Sequence, residues 1–248
     1  MATRFKGMRV VVTGATSGIG KAAAHAFRRE GAHVVATGRD RARLDAVARD
    51  VGEGMVVDVT VPGDVERLAQ LGEVDVLVNN AGIGLFAGVD DTAEADLRRV
   101  MEVNFFGAVR VATALLPALR RSRGVLVQVA SVAGRRGYQR HTAYCASKHA
   151  LVGWSEGLRQ DLRGSGVSVV TVCPPAVRTP FFENAGYTTF DADHPDLVPM
   201  AAEQAAEGIL DAAHHRKRLA ILSPRARALD TLNFLAPALL DGVRPRRG

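Results

Sequence analysis

Cysteine is almost missing: Cys145 and Cys173 are the only two in 248 residues, too few for a disulfide framework and without the spacing of a metal-ligand set. A reducing cytoplasm is the expected setting, and no metal is expected. Aromatic residues are also scarce, at 5% with a single tryptophan. The formal charge of +6 is scattered over residues 39–43, 120–123, 214–218 and 244–247. A nucleic-acid surface concentrates its cations and interleaves them with aromatics, so nucleic acid is set aside and a polyanionic small molecule fits better. No window of about 18 uncharged apolar residues occurs, which leaves a membrane-spanning helix unsupported. The basic N-terminus runs straight into a strand pattern, so it does not read as a cleaved signal. Repeats, low-complexity blocks and linkers are lacking too. With 47% hydrophobic and 23% charged residues, the chain reads as one globular domain over 1–248 with a substantial core.

What the chain does contain is a regular alternation. Residues 8–13 are a β-branched run ending at Gly14, and a helical pattern follows over 19–29. Strand, glycine-rich turn and helix open a nucleotide-binding α/β unit. The turn holds Gly14, Gly18 and Gly20, flanked by Thr13, Thr16 and Ser17. Three residues separate the first two glycines, a departure from G-x-G-x-x-G, yet the physics is the same. Gly14 and Gly18 let the backbone approach a pyrophosphate lying over the helix N-terminus, and Gly20 lets the helix pack closely. An ordinary turn needs only one glycine.

The next strand, 33–38, ends in Gly38 and Arg39. At this place an acidic side chain binds a free ribose 2′-hydroxyl and an arginine binds a 2′-phosphate, so Arg39 favours NADP(H) over NAD(H). Asp40 argues for NAD, but it is as well placed to cap the helix over 41–51. A third strand is expected at 55–59 with Asp58 at its end, then a helix over 62–71 and a fourth strand at 75–79. Asn79, Asn80 and Gly82 close that strand, where ligands bind in open parallel sheets. Strands this uniformly apolar imply an α/β fold with a doubly wound parallel sheet and helices on both faces.

A long helix is expected to open at Thr92 with a Ser/Thr-type cap and to carry Val100, Val103, Ala108, Val111, Leu115 and Leu119 on its apolar face. Asn104 interrupts that face, and a buried asparagine needs a partner or a bound water. The strand over 124–130 delivers Ser131. After a loop at 135–141 comes a helix to about 163 that carries Tyr144 and Lys148. Four residues apart, these two share one helix face. The ammonium favours the phenolate and draws a group with an ordinary pKa of about 10 toward working pH. Tyrosine and lysine at this spacing are common surface pairs, so their company carries the reading: Ser131 on a neighbouring strand end and Asn104 nearby. Tyr144 and Ser131 offer two hydrogen bonds to one substrate oxygen where charge develops. The last strand of this series, 167–173, ends at Pro174 and Pro175, and Thr179 follows.

On residues 13–20, Asp58, 79–82, Asn104, Ser131, 144–148 and 174–179, in this order and spacing, the chain resembles the short-chain dehydrogenase/reductase family in its branch of about 250 residues. The resemblance covers 8 to about 222. It implies a single-domain Rossmann fold and an NADP(H)-dependent oxidoreductase interconverting a ketone and a secondary alcohol. By this likeness Tyr144 is the acid in reduction and the base in oxidation, and Ser131 binds the substrate oxygen. Lys148 lowers the Tyr144 pKa and holds the nicotinamide ribose, while Asn104 keeps an ordered water in a relay to Lys148. Gly14, Ser17 and Ile19 surround the phosphates within the turn that includes Thr16, Gly18 and Gly20. Arg39 meets the 2′-phosphate, Asp58 the adenine, and Asn80, with Gly82 beside it, the adenosine ribose side. Pro174, Val177 and Thr179 lie at the carboxamide and phosphate. Pro175 departs from the glycine the family commonly has there; its ring removes an amide donor.

The same likeness makes 181–201 a lid. Phe181, Phe182, Tyr187 and Phe190 would make it apolar and the substrate hydrophobic, with core filling equally open. A small-molecule carbonyl or alcohol and a homo-dimer or homo-tetramer are the expected partners; Trp154 and Leu158 serve either the subunit contact or the core. Cys145 reads as a small buried residue, His141 as pocket or loop, His149 as surface or interface, and 214–218 as a solvated helix end. The segment 224–243, broken at Pro237, is a helix closing the pocket or a dimer contact, with a membrane-surface element ranked last. Two rival functions are kept. One is a 3-oxoacyl-thioester reductase whose Arg135, Arg136 and Arg140 receive a phosphopantetheine carrier. The other is a non-catalytic NADP-binding sensor or scaffold, against which the complete set Asn104, Ser131, Tyr144 and Lys148 argues.

Overall fold

The β-branched runs and amphipathic stretches alternate along the chain as expected, and the structure, a computed structural model, describes residues 3–185 and 199–241. In order they form β1 (Arg9–Val12), α1 (Gly18–Arg29), β2 (His33–Gly38), α2 (Arg41–Val51), β3 (Gly52–Val56), α3 (Pro62–Leu68), β4 (Val76–Asn79), α4 (Glu94–Met101), α5 (Ala108–Ser122), β5 (Val125–Val129), α6 (Thr142–Asp161) and β6 (Ser168–Cys173). There follow β7 (Val177–Arg178), α7 (Phe181–Asn184), β8 (Met200–Ala201), α8 (Ala202–His214), β9 (Leu219–Ile221), α9 (Pro224–Leu235) and α10 (Pro237–Asp241).

Seven of the described strands form one parallel sheet in the order β3-β2-β1-β4-β5-β6-β9, and β7 and β8 make a separate two-stranded pair. Side chains alternate across the sheet. Val10 and Val12 therefore join Phe27, Leu44, Ile209 and Leu210 beneath α1, α2 and α8. Val11 turns the other way, with Leu77, Leu115, Leu119 and Leu126 beneath α3 and α5. The strand order reverses between β1 and β4, and at such a point the crossovers diverge to opposite faces and leave a crevice at the carboxyl ends. Gly14, Asn80, Ser131 and Pro174 all lie just past those ends.

Three local expectations are corrected. The third strand is Gly52–Val56 rather than 55–59, because Gly52 closes α2 with φ 128° and the chain enters the strand at once. As an edge strand it tolerates exposed Gly52, Glu53 and Gly54, so no apolar run marks its start. Thr92 does not cap the following helix: its hydroxyl donates to the Gly88 carbonyl at 2.7 Å, and α4 begins after Ala93 without a side-chain cap. Between α4 and α5 the helix widens to π geometry over Glu102–Gly107. The whole stretch Glu94–Ser122 is long and apolar enough to cross a bilayer by length and composition. Its Val111, Leu115 and Leu119 are packed into the sheet core, however, so one face of the stretch is that of a core-packed helix. Asp40 does cap α2, accepting from the Arg43 amide at 3.0 Å.

Leu115 is fully buried between α5 and the sheet. Leu115→Ala is expected to lower unfolding stability by about 2–5 kcal/mol in a urea titration, and a loss below about 1 kcal/mol would mean that the α5 face is not a packed core.

Candidate active site

The glycine turn is shaped by backbone demands. Gly14 has φ 65°, and a side chain there would start 2.9 Å from the Ala81 Cα; Gly18 has φ 51°. At Gly20 a Cβ would sit 2.2 Å from the Gly14 carbonyl oxygen, so this glycine packs α1 against the turn itself. α1 starts with no capping bond from the Ser17 side chain and no acidic residue in its first turn. Its leading amides and positive dipole end therefore face the crevice, and this cradle fits a dinucleotide pyrophosphate. Thr179 reaches the same turn, its side chain 3.0 Å from where a Gly18 Cβ would be, while Thr16 packs against Gly38. Ile19 is partly buried against the core.

Two side chains of this region work inward. The Thr13 hydroxyl accepts from the amides of Asn80 at 2.9 Å and Ala81 at 3.0 Å, and Asn80 Nδ2 donates to the Thr13 carbonyl at 3.0 Å. Thr13 and Asn80 thus tie the turn to the end of β4. At the β2 end, Arg39 Nη1 lies 3.8 Å from Asp58, with its side chain 62% exposed. Burial pushes the Asp58 carboxyl up, but two hydrogen bonds from Thr60 and the Arg39 guanidinium outweigh it and hold the group below the usual carboxylate range. A contact this long and wet is weak, so Arg39 stays available to a phosphate.

At the ends of β5 and α6 the protonic residues meet. Lys148 is 4% exposed and donates from Nζ to the Val129 carbonyl at 3.0 Å. Burial lowers its pKa to about 8. Tyr144 is buried beside it, with Lys148 Nζ 5.9 Å from the ring centroid. Burial raises the phenol above its ordinary range, and the neighbouring Ser131 hydroxyl opposes the rise. The expectation that the ammonium draws the phenol downward is therefore not met in the protein itself: desolvation of a phenolate in this apolar corner sets the direction, and Ser131 is what opposes it. Ser131 Oγ also accepts from the Ala133 amide at 3.1 Å, closing the short turn Val132–Gly134.

Asn104 sits in the π-helical segment, a geometry that often marks functional sites. Its Oδ1 accepts from the Ile83 amide at 2.8 Å, and its Nδ2 donates to the Ile83 carbonyl at 2.9 Å and to Ser147 Oγ at 3.0 Å. Ser147 in turn donates to the Tyr144 carbonyl at 2.8 Å. The asparagine side chain is thus a brace from the β4 loop to α6. Gly82 leaves room for it: a Cβ there would lie 3.1 Å from Asn104 Oδ1 and 3.7 Å from Lys148 Nζ. Pro174 offers its carbonyl to the Val132 amide at 3.0 Å, and Val177 pairs with Met200.

Phe86 and Ser147 are missing from the sequence-derived set. Ser147 had a legible signal, one turn beyond Tyr144 on the same helix; Phe86 had none, lying in a loop without periodicity. Phe86 stacks on Phe182 at 5.3 Å and meets His141 at 4.6 Å and Tyr144 at 5.8 Å, while Phe181 stands 5.7 Å from Tyr144. His141 thus belongs to an apolar wall beside Tyr144, as do Phe181 and Phe182. Tyr187 and Phe190 of the expected lid lie outside the described residues, as do Arg244, Arg246 and Arg247. Cys145 is buried as expected, and burial pushes its thiol up and the Cys173 thiol up to about 12, which disfavours the thiolate at both. His149 is exposed, and Trp154 and Leu158 pack against the core. Arg135 is paired with Asp230, Arg136 lies over the Tyr138 ring at 5.0 Å, and Arg140 faces Asp91 at 3.8 Å.

Comparison with known proteins points the same way. Residues 8–188 match the family model described as short chain dehydrogenase. A dehydrogenase/reductase SDR family member 7B of Rattus norvegicus is 34% identical over 96% of this chain and 80% of its own length. A short chain dehydrogenase of Burkholderia cenocepacia, solved in complex with NADP, superposes with a TM-score of 0.86 at 26% identity over 97% of this chain and 99% of that one. A short chain dehydrogenase/reductase of Burkholderia phymatum, solved with NAD, gives 0.85 at 26% identity over 99% and 98%.

The buried ammonium makes a measurable demand on stability. Lys148 falls from an ordinary 10.5 to about 8, which corresponds to roughly 3 kcal/mol of cost. That cost is fully present below pH 8 and is relieved as pH rises toward 10.5, where the unfolded chain also loses the proton. Lys148→Met is therefore expected to melt above the wild type at pH 7, with the gap closing between pH 8 and 10.5. A Met variant that melts lower at pH 7 would show that the Val129 hydrogen bond outweighs desolvation.

Proposed function

This chain belongs to the short-chain dehydrogenase/reductase family and is an oxidoreductase of alcohol/ketone-type substrates; from that premise we propose an NADP(H)-dependent enzyme that interconverts a hydrophobic ketone and its secondary alcohol, with Tyr144 as proton donor. The observation that carries the reading is the buried phenol of Tyr144, placed beside Ser131 and adjoining the buried Lys148 ammonium, at the strand ends beside the glycine turn. The nicotinamide, when bound, supplies or accepts the hydride. Ser131 and Tyr144 orient the carbonyl oxygen with two hydrogen bonds, aimed where negative charge develops. The high phenol pKa keeps the proton on Tyr144 Oη at neutral pH, ready for an incipient alkoxide. Lys148 stabilises that charge in surroundings of low dielectric, where its field is strong. Asn104 and Ser147 hold the α6 turn that presents Tyr144.

The glycine turn receives the pyrophosphate, and exposed Arg39 supports a 2′-phosphate over a bare ribose. Gly14, Ser17, Gly18 and Thr179 surround the phosphates in this reading, and Asp58 borders the adenine. The aromatic wall of Phe86, Phe181 and Phe182 supports a hydrophobic substrate. An acyl-thioester carrier is less well supported, because Arg135 is forked onto Asp230 and Arg136 lies over the Tyr138 ring, which leaves only the loosely paired Arg140 for it. A pure binder has no use for a buried phenol and ammonium side by side. Two buried free cysteines fit a reducing cytoplasm, and a homo-dimer or homo-tetramer is the proposed assembly.

Tyr144→Phe is expected to lower kcat by about 10²- to 10⁴-fold on a ketone found by screening, with NADPH affinity unchanged; full turnover would remove Tyr144 as the acid. Reduction in the wild type should decline as pH rises through about 8, where Lys148 loses its proton. A kcat/KM profile flat to pH 10 would contradict this. Fluorescence titration of Arg39→Ala should weaken NADPH by about tenfold or more and leave NADH unaltered, whereas equal losses would undo the phosphate assignment.

A further inference from the structure

Arg135 leaves the short turn Val132–Gly134 that Ser131 begins. Its guanidinium meets Asp230 on α9 with two hydrogen bonds, Nε to Oδ1 at 2.8 Å and Nη2 to Oδ2 at 3.1 Å. The two side chains are only 26% and 15% exposed, so this forked pair is better shielded than a surface salt bridge. Asn233, three residues along α9, donates to the Arg135 carbonyl at 3.3 Å.

The other sides of the turn are also held. A Cβ at Gly134 would lie 2.7 Å from the Lys148 carbonyl oxygen, so the turn rests directly on α6. The Val132 amide donates to the Pro174 carbonyl at 3.0 Å, which fixes it to the end of β6. Ser131 thus starts a wedge between the helix of Tyr144 and Lys148 and the C-terminal helix.

α9 itself has no fully buried residue, and Phe234 and Leu235 are 81% and 72% exposed. Its attachment includes Arg227 Nη2 to the Ile221 carbonyl at 3.3 Å, a bond to the strand just before it in the chain. The polar contacts that tie α9 to a distant part of the chain converge on Arg135: the fork with Asp230 and the Asn233 bond to its carbonyl, beside the packing of Ala226 on the core.

We propose that Asp230, acting through Arg135, is a positioning residue that sets Ser131 against Tyr144, and that α9 is a brace for the catalytic turn. The inference rests on the carbonyl chemistry proposed for Ser131 and Tyr144. It gives the C-terminal segment a role in turnover without any contact with substrate.

The test uses the full chain with NADPH and a ketone panel. Asp230→Asn and Arg135→Gln should each lower kcat by about ten- to hundredfold, with NADPH affinity held within about twofold. The reversed pair Arg135→Asp with Asp230→Arg should recover part of the loss. Hydrogen exchange of the amides at 131–136 should quicken in Asp230→Asn while the β1 and β4 amides stay protected. Unchanged kcat in both folded variants would overturn the proposal, and so would a kcat loss matched by an equal loss of NADPH affinity. If the wild type reduces no carbonyl in the panel, the functional reading falls, and exchange at 131–136 still judges the brace: unaltered protection there overturns it.

Discussion

A buried ammonium is the constraint on which the rest of this structure depends. Lys148 is taken out of water, and a cation there is tolerable only if its protons find acceptors and its neighbours carry no further positive charge. The Val129 carbonyl supplies one acceptor because β5 ends where α6 crosses it. The same crossing brings Ser131, two residues farther along the strand exit, to the phenol of Tyr144. α6 must therefore be held at fixed height and rotation. Ser147 does this by receiving Asn104 on one side and donating back to its own helix on the other.

The sheet explains why those residues share a corner with the glycine turn. Parallel strands put all their carboxyl ends on one edge, and the reversal of order between β1 and β4 opens the crevice there. Thr13 and Asn80 then knit the first and fourth strand ends together, which leaves the α1 amides free for an anion. Scaffold and ligand functions are divided among adjacent residues: side chains at 13 and 80 face inward, and the backbone at 14–20 faces the crevice.

Much of this was legible in the sequence. The alternation of β-branched runs with amphipathic stretches fixed the doubly wound sheet, and the glycines at 14, 18 and 20 have no other economical explanation. Arg39, Ser131, Tyr144 and Lys148 stand where their spacing placed them. What escaped was of two kinds. Electrostatic balance cannot be read from spacing, since the i, i+4 ammonium lowers a phenol only if burial does not raise it more, and burial depends on Phe86 and Phe181 arriving from elsewhere. Long-range pairing is equally silent: Arg135 looks like a free cation until α9, almost a hundred residues later, brings Asp230 to it. The inward turn of Asn80 had the same origin, because an amide side chain suits a ligand and a loop backbone equally well; the burial of Asn104 was legible from the apolar face it interrupts, and only the identity of its partners was not.

The central claim, hydride exchange between NADPH and a carbonyl carbon, is tested most directly by mass spectrometry of the alcohol formed from a ketone panel with NADPH deuterated at the nicotinamide C4. The account predicts one deuterium on the carbinol carbon of the product, carried over without exchange with solvent. An alcohol formed without that deuterium from either C4 face, or no alcohol from any ketone while NADPH still binds, would contradict it.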